Sequence, residues 1–558
     1  PQFNNGQGIE IQDARENIVG ELRPKLLRLL GAVLFVLLIA CANVANLLLA
    51  RAADRGKEIA VRTAMGASRL KIIRQLLIES LTMALLGGAL ALLLVRWSLT
   101  LLLAFIPLKI PGFIEISVDG PVLAFVLLVA LVTSILVGLV PALYSSRPNL
   151  SGTLKEGGGR GSTESRVSRQ TRNALVVADV ALALILLIGA GLMIRSLAQI
   201  RGFDAGVRPE NLLTLTFEPP DGTPDARRLQ IKQQVLDRAA ALPGVSSAAL
   251  TSHILYDRGY LTQEVTVDGH QIEDPARVQT YYVSQGYFQT LGIPVEAGRG
   301  FMPQDNTESA AVAIVNRAFA DRYWSGDDPI GKRIQIGKAE DKGSYLTIVG
   351  VVGNVRTKIA PGTPDQPIQM YLPGMRSTTW GYNLVVSTEK EPTRMTSSLR
   401  QAIQQIDPGV SMYNVDTLRS RMANVTSDTR FFTGMMGVFA GLALILAVLG
   451  IYGLISYTVS QQKREIAVRM ALGAMSGDIL RMMVVRGLIL TLAGLGIGLA
   501  AAFALSQSIS KFLFGVSQTD ALTFLGMPVI LGLTALIACW LPARRAIKVD
   551  PLTSLRYD

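Results

Sequence analysis

The sequence predicts an α-helical integral membrane protein of about seven transmembrane helices, built as two tandem copies of one unit, with an α+β domain outside the bilayer. Three observations carry that prediction. Seven hydrophobic runs, 26–50, 75–106, 120–144, 174–198, 431–458, 479–508 and 522–542, are long enough to cross about 30 Å of hydrocarbon. One polar stretch, 201–430, separates the fourth run from the fifth. Finally, the segment Glu58-Ile-Ala-Val-Arg-Thr-Ala-Met-Gly-Ala67 recurs as Glu465-Ile-Ala-Val-Arg-Met-Ala-Leu-Gly-Ala474. Only Thr63/Met470 and Met65/Leu472 differ, and both copies lie between hydrophobic runs. A repeat that close, in one membrane context, marks a duplicated module.

Composition agrees. Of 558 residues, 49% are hydrophobic and 17% charged, a balance that suits a membrane protein with a substantial soluble part. Cys41 and Cys539 both fall inside hydrophobic runs, so they read as buried apolar side chains and no disulfide framework is indicated. The formal net charge of +12 is concentrated in short loops beside the runs. That is the distribution of membrane topology rather than of nucleic-acid binding.

From the N-terminus, residues 1–22 are polar and lack a cleavable leader. At the repeat offset, Ile11 aligns with Leu418 and Arg23 with Arg430, positions that close the later polar domain. Residues 1–22 therefore read as the tail of another such domain, and the chain as N-terminally truncated. Residues 23–150 form the first three-span unit, with a charged helix at 57–67. Arg51, Arg55, Lys57, Arg62, Arg69, Lys71 and Arg74 place that loop in the cytoplasm. Residues 151–173 are a Gly/Ser-rich, basic cytoplasmic linker. A further transmembrane helix, 174–200, leads to the outer domain, 201–430. The second three-span unit, 431–558, carries the other charged helix at 464–474. Each unit ends in a span, a Pro-Ala exit (Pro141-Ala142, Pro542-Ala543) and a short tail.

Within the outer domain, strand patterning at Leu212–Phe217, an amphipathic helix at 225–242 and a strand at 245–252 form one β-α-β unit. Tyr382–Ser387, 393–407 and 410–415 form a second. The pair predicts a split, ferredoxin-like core with a strand-rich insertion of about a hundred residues between its halves.

Motifs for chemistry are sparse. Gly326-Asp-Asp-Pro-Ile-Gly331-Lys332-Arg333 fits a phosphate loop until its last position, where Arg replaces the Ser or Thr that holds Mg²⁺. It reads as a turn before the strand Ile334–Ile336, and any ATPase belongs to another polypeptide. His253 and His270 have no zinc-ligand spacing around them. No catalytic, cofactor-binding or metal-ligating residue is assigned, and the chain is not expected to be an enzyme. Among intramembrane polar groups, Asp179 and Arg195 read as snorkelling to the interfaces. Asn43 and Asn46 read as bonding between helices, and Gly437-x-x-x-Gly441 and Gly494-x-x-x-Gly498 as close helix contacts.

The repeated helix remains. Glu58 precedes Arg62, and Glu465 precedes Arg469, by four residues, the orientation that supports a helix. Ile59, Val61, Ile466 and Val468 lie between them and would suit a partner groove. The pattern Glu-Ile-Ala-Val-Arg-x-Ala-x-Gly-Ala between two spans resembles the cytoplasmic loop of MacB/FtsX-like permeases, membrane subunits of ATP-binding-cassette (ABC) systems. The ending Pro542-Ala-Arg-Arg-Ala546 through Asp550-Pro-Leu-Thr-Ser-Leu555 is similar to that family's C-terminus. Gly286-Tyr-Phe-Gln-Thr-Leu-Gly-Ile-Pro294, Ala297-Gly-Arg299 and Asp328-Pro-Ile-Gly-Lys332 resemble the MacB-type periplasmic core domain. The duplicated order most resembles the acidobacterial-type duplicated orphan permeases, although Pro141-Ala-Leu-Tyr-Ser-Ser lacks the second copy's Arg pair.

The resemblance implies two tandem FtsX-like units, a MacB-like periplasmic core domain and an inner-membrane location. Glu58, Arg62, Gly66, Glu465, Arg469 and Gly473 would then meet a cytoplasmic ABC ATPase, which uses the ATP. Other implied partners are membrane lipid and a periplasmic adaptor or outer-membrane component, with no nucleic acid. Three functions stay open: export of a periplasmic substrate, FtsX-like signalling to an extracytoplasmic hydrolase, and lipoprotein or lipid extraction.

Overall fold

A computed structural model describes residues 23–54, 65, 69–105, 118–145, 166–201, 204–257, 261–267, 276–306, 311–337, 345–357, 367–375, 377–379, 382–472, 475–509 and 515–547. Four long helices open the chain: α1 Arg23–Asp54, α2 Arg69–Phe105, α3 Gly120–Ser145 and α4 Arg166–Arg201. The polar domain begins with β1 Leu212–Glu218, α5 Asp225–Ala240 and β2 Val245–Thr251. Next come β3 Leu261–Val267, β4 Ala276–Val283, the short α6 Tyr287–Leu291, β5 Val295–Gly298 and β6 Val312–Asn316. They are followed by α7 Arg317–Tyr323, β7 Arg333–Ile336, β8 Tyr345–Val352 and β9 Gln369–Pro373. It closes with β10 Asn383–Thr388, α8 Thr396–Gln404, β11 Ser411–Thr417 and α9 Leu418–Val425. The chain returns to α10 Ser427–Gln461, the short α11 Lys463–Ala471, α12 Ser476–Ile509 and α13 Ala521–Ile547. Two compact units result, the helical one (residues 1–199 and 429–558) and the polar one (Ile200–Asp428).

Six helices among the described residues are long and apolar enough to cross a membrane, over Leu26–Leu49, Leu81–Thr100, Arg169–Ile200, Ser427–Gln461, Ser476–Gln507 and Ala521–Arg545. The seventh predicted span, 120–144, is helical as α3, and its apolar stretch is described over Gly120–Ile135. In α2, 37 residues long, the helix outruns its apolar stretch at the charged N-terminal end. The predicted exits at Pro141 and Pro542 do not end their helices, since α3 continues to Ser145 and α13 to Ile547. A late proline removes one backbone donor, and a membrane helix tolerates that loss.

One apolar cluster joins α1, α4, α10, α12 and α13, with Ile39, Leu184, Ala443, Ala447 and Leu531 fully enclosed. The central member is α4, whose apolar stretch is 72% buried, against 39% or less in the other spans. Glycine explains part of its approach to α12. A Cβ on Gly494 would stand 2.7 Å from Val180 Cβ, and one on Gly498 would stand 2.9 Å from Ala181 Cα. Gly437 and Gly441 have nothing within 4 Å, so that expected contact is absent among the described residues.

The intramembrane polar residues also depart from expectation. Asp179 is fully buried rather than snorkelling, and Arg195 forms an ion pair with Asp520. The same Asp520 caps α13, accepting Thr523 N–H at 2.9 Å. Asn43 bonds between helices as expected, donating to Leu446 O at 2.8 Å. The buried Asn46 amide has no partner among the described residues.

In the polar domain the two β-α-β units interleave. The strand order β11-β1-β10-β2 is antiparallel throughout, the arrangement of a ferredoxin-like core. Helices α5 and α8 lay Ile231, Val235, Leu399 and Ile403 onto Leu213, Leu215, Phe217 and Val386. The insertion does more than add strands. Its pairings run β4-β3-β7-β8-β6-β9 and return from β9 to β4, closing a six-stranded barrel. Closure removes the unpaired strand edges. Val265, Val315, Phe319, Trp324, Ile348 and Met370 fill its core.

Candidate functional site

The described charged helix, α11, owes its form to its sequence. Glu465 lies in its first turn and Arg469 in its last, each complementing the helix dipole. They form an ion pair at 2.5 Å, and both side chains are about half exposed. The described helix spans Lys463–Ala471, and Leu472 N–H donates to Val468 O at 3.0 Å; residues 473–474 of the expected 464–474 lie outside the described residues. A glycine two residues after Ala471 disfavours continuation.

The expected groove-facing pair separates. Ile466 is 3% exposed and joins the membrane-bundle core, whereas Val468 is exposed. The reason is the helical period, because residues two apart point to different sides. The outward apolar surface is instead Val468, Leu472 and Met475, beside the Glu465–Arg469 pair. Sequence reasoning missed Leu472 and Met475, although Leu472 is one of the two positions that differ between the repeats. Its counterpart Met65 is 76% exposed, and Leu472 itself 83%. Arg469 Nη1 also donates to Met482 Sδ on α12 at 3.1 Å, tying the ends of the two helices. Glu58, Arg62, Gly66 and Gly473 lie outside the described residues. From the C-terminal Arg pair, Arg545 donates to Tyr452 on α10 at 3.0 Å, and Arg544 stacks over Trp540.

In the polar domain, each chain crossing between core and barrel is pinned by a buried cation. Residues 252–257, after β2, meet Arg421 of α9, which reaches Asp257 Oδ2 at 3.3 Å, Thr214 Oγ1 at 2.7 Å and Asn414 O at 2.5 Å. Gly374 and Ser377, after β9, meet Lys232 of α5, whose Nζ donates to Gly374 O at 2.9 Å and Ser377 O at 2.7 Å. Burial pulls the Lys232 ammonium down to about 8.

The remaining motifs make local contacts where they are described. In the phosphate-loop-like run, Gly331 N–H donates to Ile348 O at 2.8 Å and Lys332 N–H to Pro329 O at 3.2 Å. Those amides serve a turn before β7. Arg299 bonds the buried Asp305 at 2.6 Å and holds its carboxyl below the usual range, while Tyr287 and Phe288 enter a buried aromatic cluster with Tyr371. His253 Nδ1 lies 3.0 Å from Ser252 Oγ, and burial lowers its imidazole's affinity for a proton. His270 lies outside the described residues.

Comparison with known proteins converges on one family. The model of the FtsX-like permease C-terminal domain matches residues 30–150 and 437–551, and that of the MacB-like periplasmic core domain matches 174–416. The macrolide export ATP-binding/permease protein MacB of Neisseria gonorrhoeae is 23% identical over 358 residues, covering 62% of this chain and 52% of that protein. The uncharacterized ABC transporter permease YknZ of Bacillus subtilis is 24% identical over 296 residues, covering 52% of this chain and 72% of that protein. This chain thus spans about half the length of the MacB relative. Among solved structures, the periplasmic region of MacB from Actinobacillus actinomycetemcomitans aligns with a TM-score of 0.27 at 16% identity, covering 40% of this chain and 95% of that one. The extracellular domain of YknZ from Gram-positive bacteria gives 0.26 at 16%, covering 37% of this chain and all of the other. With two FtsX-like permease domains bracketing one MacB-like periplasmic core domain, the chain belongs to the MacB/FtsX-like ABC transporter permeases.

Proposed function

We propose that this permease couples ATP hydrolysis by a separate cytoplasmic ATPase to movement of its polar domain, in an inner-membrane system that exports a periplasmic substrate. The supporting observation is the divided surface of α11. One face is anchored by Ile466 in the bundle core, while Leu472, Met475 and the Glu465–Arg469 pair are presented outward. A docked partner pushing on that outward face would transmit force through Ile466 and the Arg469–Met482 contact into α12. ATP would then be bound and spent by the partner, and this chain itself would act neither as an enzyme nor as a nucleotide-binding protein.

The test exchanges charges, Glu465→Lys with Arg469→Glu. The exchange retains an ion pair within the helix in its weaker orientation, so an intrahelical role loses only about 0.2–0.5 kcal/mol. A docking role sets like charges against the partner, which costs several kcal/mol. Co-purification of the ATPase and its stimulated turnover should both fall, while the permease still expresses and folds. If both are unchanged in a stable protein, α11 is not the coupling element.

A further inference from the structure

Asn43 of α1 and Gly450 of α10 occupy the same position in the two tandem units, because each lies fifteen residues before its unit's repeated Glu (Glu58, Glu465). In the folded bundle these equivalent positions meet. Asn43 Nδ2 donates to Leu446 O at 2.8 Å. A backbone carbonyl only accepts, so this bond fixes the amide with Oδ1 turned toward Gly450. A Cβ on Gly450 would fall against Asn43 Oδ1 and 3.0 Å from Asp179 Oδ2. Glycine therefore leaves a notch between α1, α4 and α10 into which both side chains reach.

Among the described residues, the atoms that reach that notch are acceptors. Asn43 Oδ1 and both carboxylate oxygens of Asp179 are buried with no hydrogen-bond partner among the described residues, and Asp179 is 0% exposed. Facing acceptors repel, and a buried carboxylate without a counter-charge is among the costliest groups to enclose. Among the described residues, no charged group is seen to bond the Asp179 carboxylate. Arg172, two turns earlier on α4, sets its guanidinium on the Tyr457 ring of α10 at 4.0 Å. On α1, Cys41 stands two residues from Asn43 and so points to another side of the helix. From α12, the side facing this part of α4 is Gly494, set against Val180.

We infer that Asp179, Asn43 and the notch at Gly450 form a buried site for one positive charge, either a proton on the carboxyl or a monovalent metal cation among the three oxygens. A proton would let Asp179 donate to Asn43 Oδ1. A metal cation would draw the same oxygens inward. In either case the occupant ties α4 to α1 at the seam where the two repeats meet, and its departure leaves α1 held there by repelling acceptors. The site stands on geometry alone, independent of any ATPase.

The experiment uses the full chain in nanodiscs, with Asp179→Asn, Gly450→Ala and Asn43→Ala. Infrared spectra compare wild type with each variant. Thermal midpoints are then measured in sodium, potassium or choline chloride. A protonated-carboxyl band present in wild type and lost in Asp179→Asn identifies a proton. No such band, with a midpoint raised by sodium or potassium over choline in wild type only, identifies a metal cation. In either case Gly450→Ala, which fills the notch while keeping Asp179, should shift the band or remove the cation response. It also supplies the comparison should Asp179→Asn fail to fold. Wild type showing neither band nor cation response overturns the inference. So does a response that survives unchanged in both Gly450→Ala and Asn43→Ala.

Discussion

Replacing Gly494 and Gly498 together by alanine should loosen α12 from α4. The new methyl groups would stand 2.7 Å from Val180 Cβ, 2.9 Å from Val177 O and 2.9 Å from Ala181 Cα and O. These are backbone or Cβ atoms that no rotamer change can move, so the helices themselves must separate. Overpacking of this kind costs about 1–3 kcal/mol per site. Alanine also improves helix propensity by about 0.8–1 kcal/mol per site, which partly masks the loss. The companion pair Gly437→Ala with Gly441→Ala removes that ambiguity, since both glycines face open space and gain only the propensity term. The two double variants should therefore differ by about 2–6 kcal/mol. Reversible unfolding in mixed micelles, followed through Trp540 of α13, measures the difference. If the two double variants agree within about 1 kcal/mol, tight glycine packing does not hold α4 in the bundle.

Lys232 gives a pH test with a definite sign. With its folded value pulled from 10.5 to about 8, both states are protonated below pH 8 and the burial penalty is then complete. Between those two values the unfolded chain holds a proton that the folded chain has released, so the polar domain should gain stability as pH rises. The slope should be absent from Lys232→Met in unfolding followed through Trp324; equal slopes would refute it. For the other crossing, Arg421→Met should cost about 3 kcal/mol or more, because it strips all three contacts of a buried guanidinium. Asp257→Ala, at a more exposed group, should cost about 1 kcal/mol or less; similar costs would show that the ion pair, not the buried network, fastens α9. For topology, a membrane-impermeant thiol reagent on intact cells should label Ser309→Cys and miss Ser162→Cys. The reverse pattern would invert the orientation read from loop charge.

The sequence alone determined the repeat, the apolar spans and the ferredoxin-like interleaving of Leu212–Phe217 with Tyr382–Ser387, because each rests on a local signal: hydrophobic run length, strand alternation, or identity at a fixed offset. It also identified the Glu465–Arg469 pair, since both partners lie on one helical turn. Tertiary structure decided the rest. Ile466 and Val468 are equivalent to any composition rule, and only the packing of α11 on the bundle core sends one inward and leaves the other outside. Closure of the barrel depends on β9 returning to β4, a pairing of Gln279 with Gln369 across an insertion whose strands look alike one at a time. Asp179 reads locally as a charge within reach of the interface. It becomes an enclosed acceptor because Asn43 and Gly450, about four hundred residues apart in the chain, are brought against it. Periodicity reports which face of an element is apolar, but what that face meets depends on contacts between distant segments, and no local pattern encodes them.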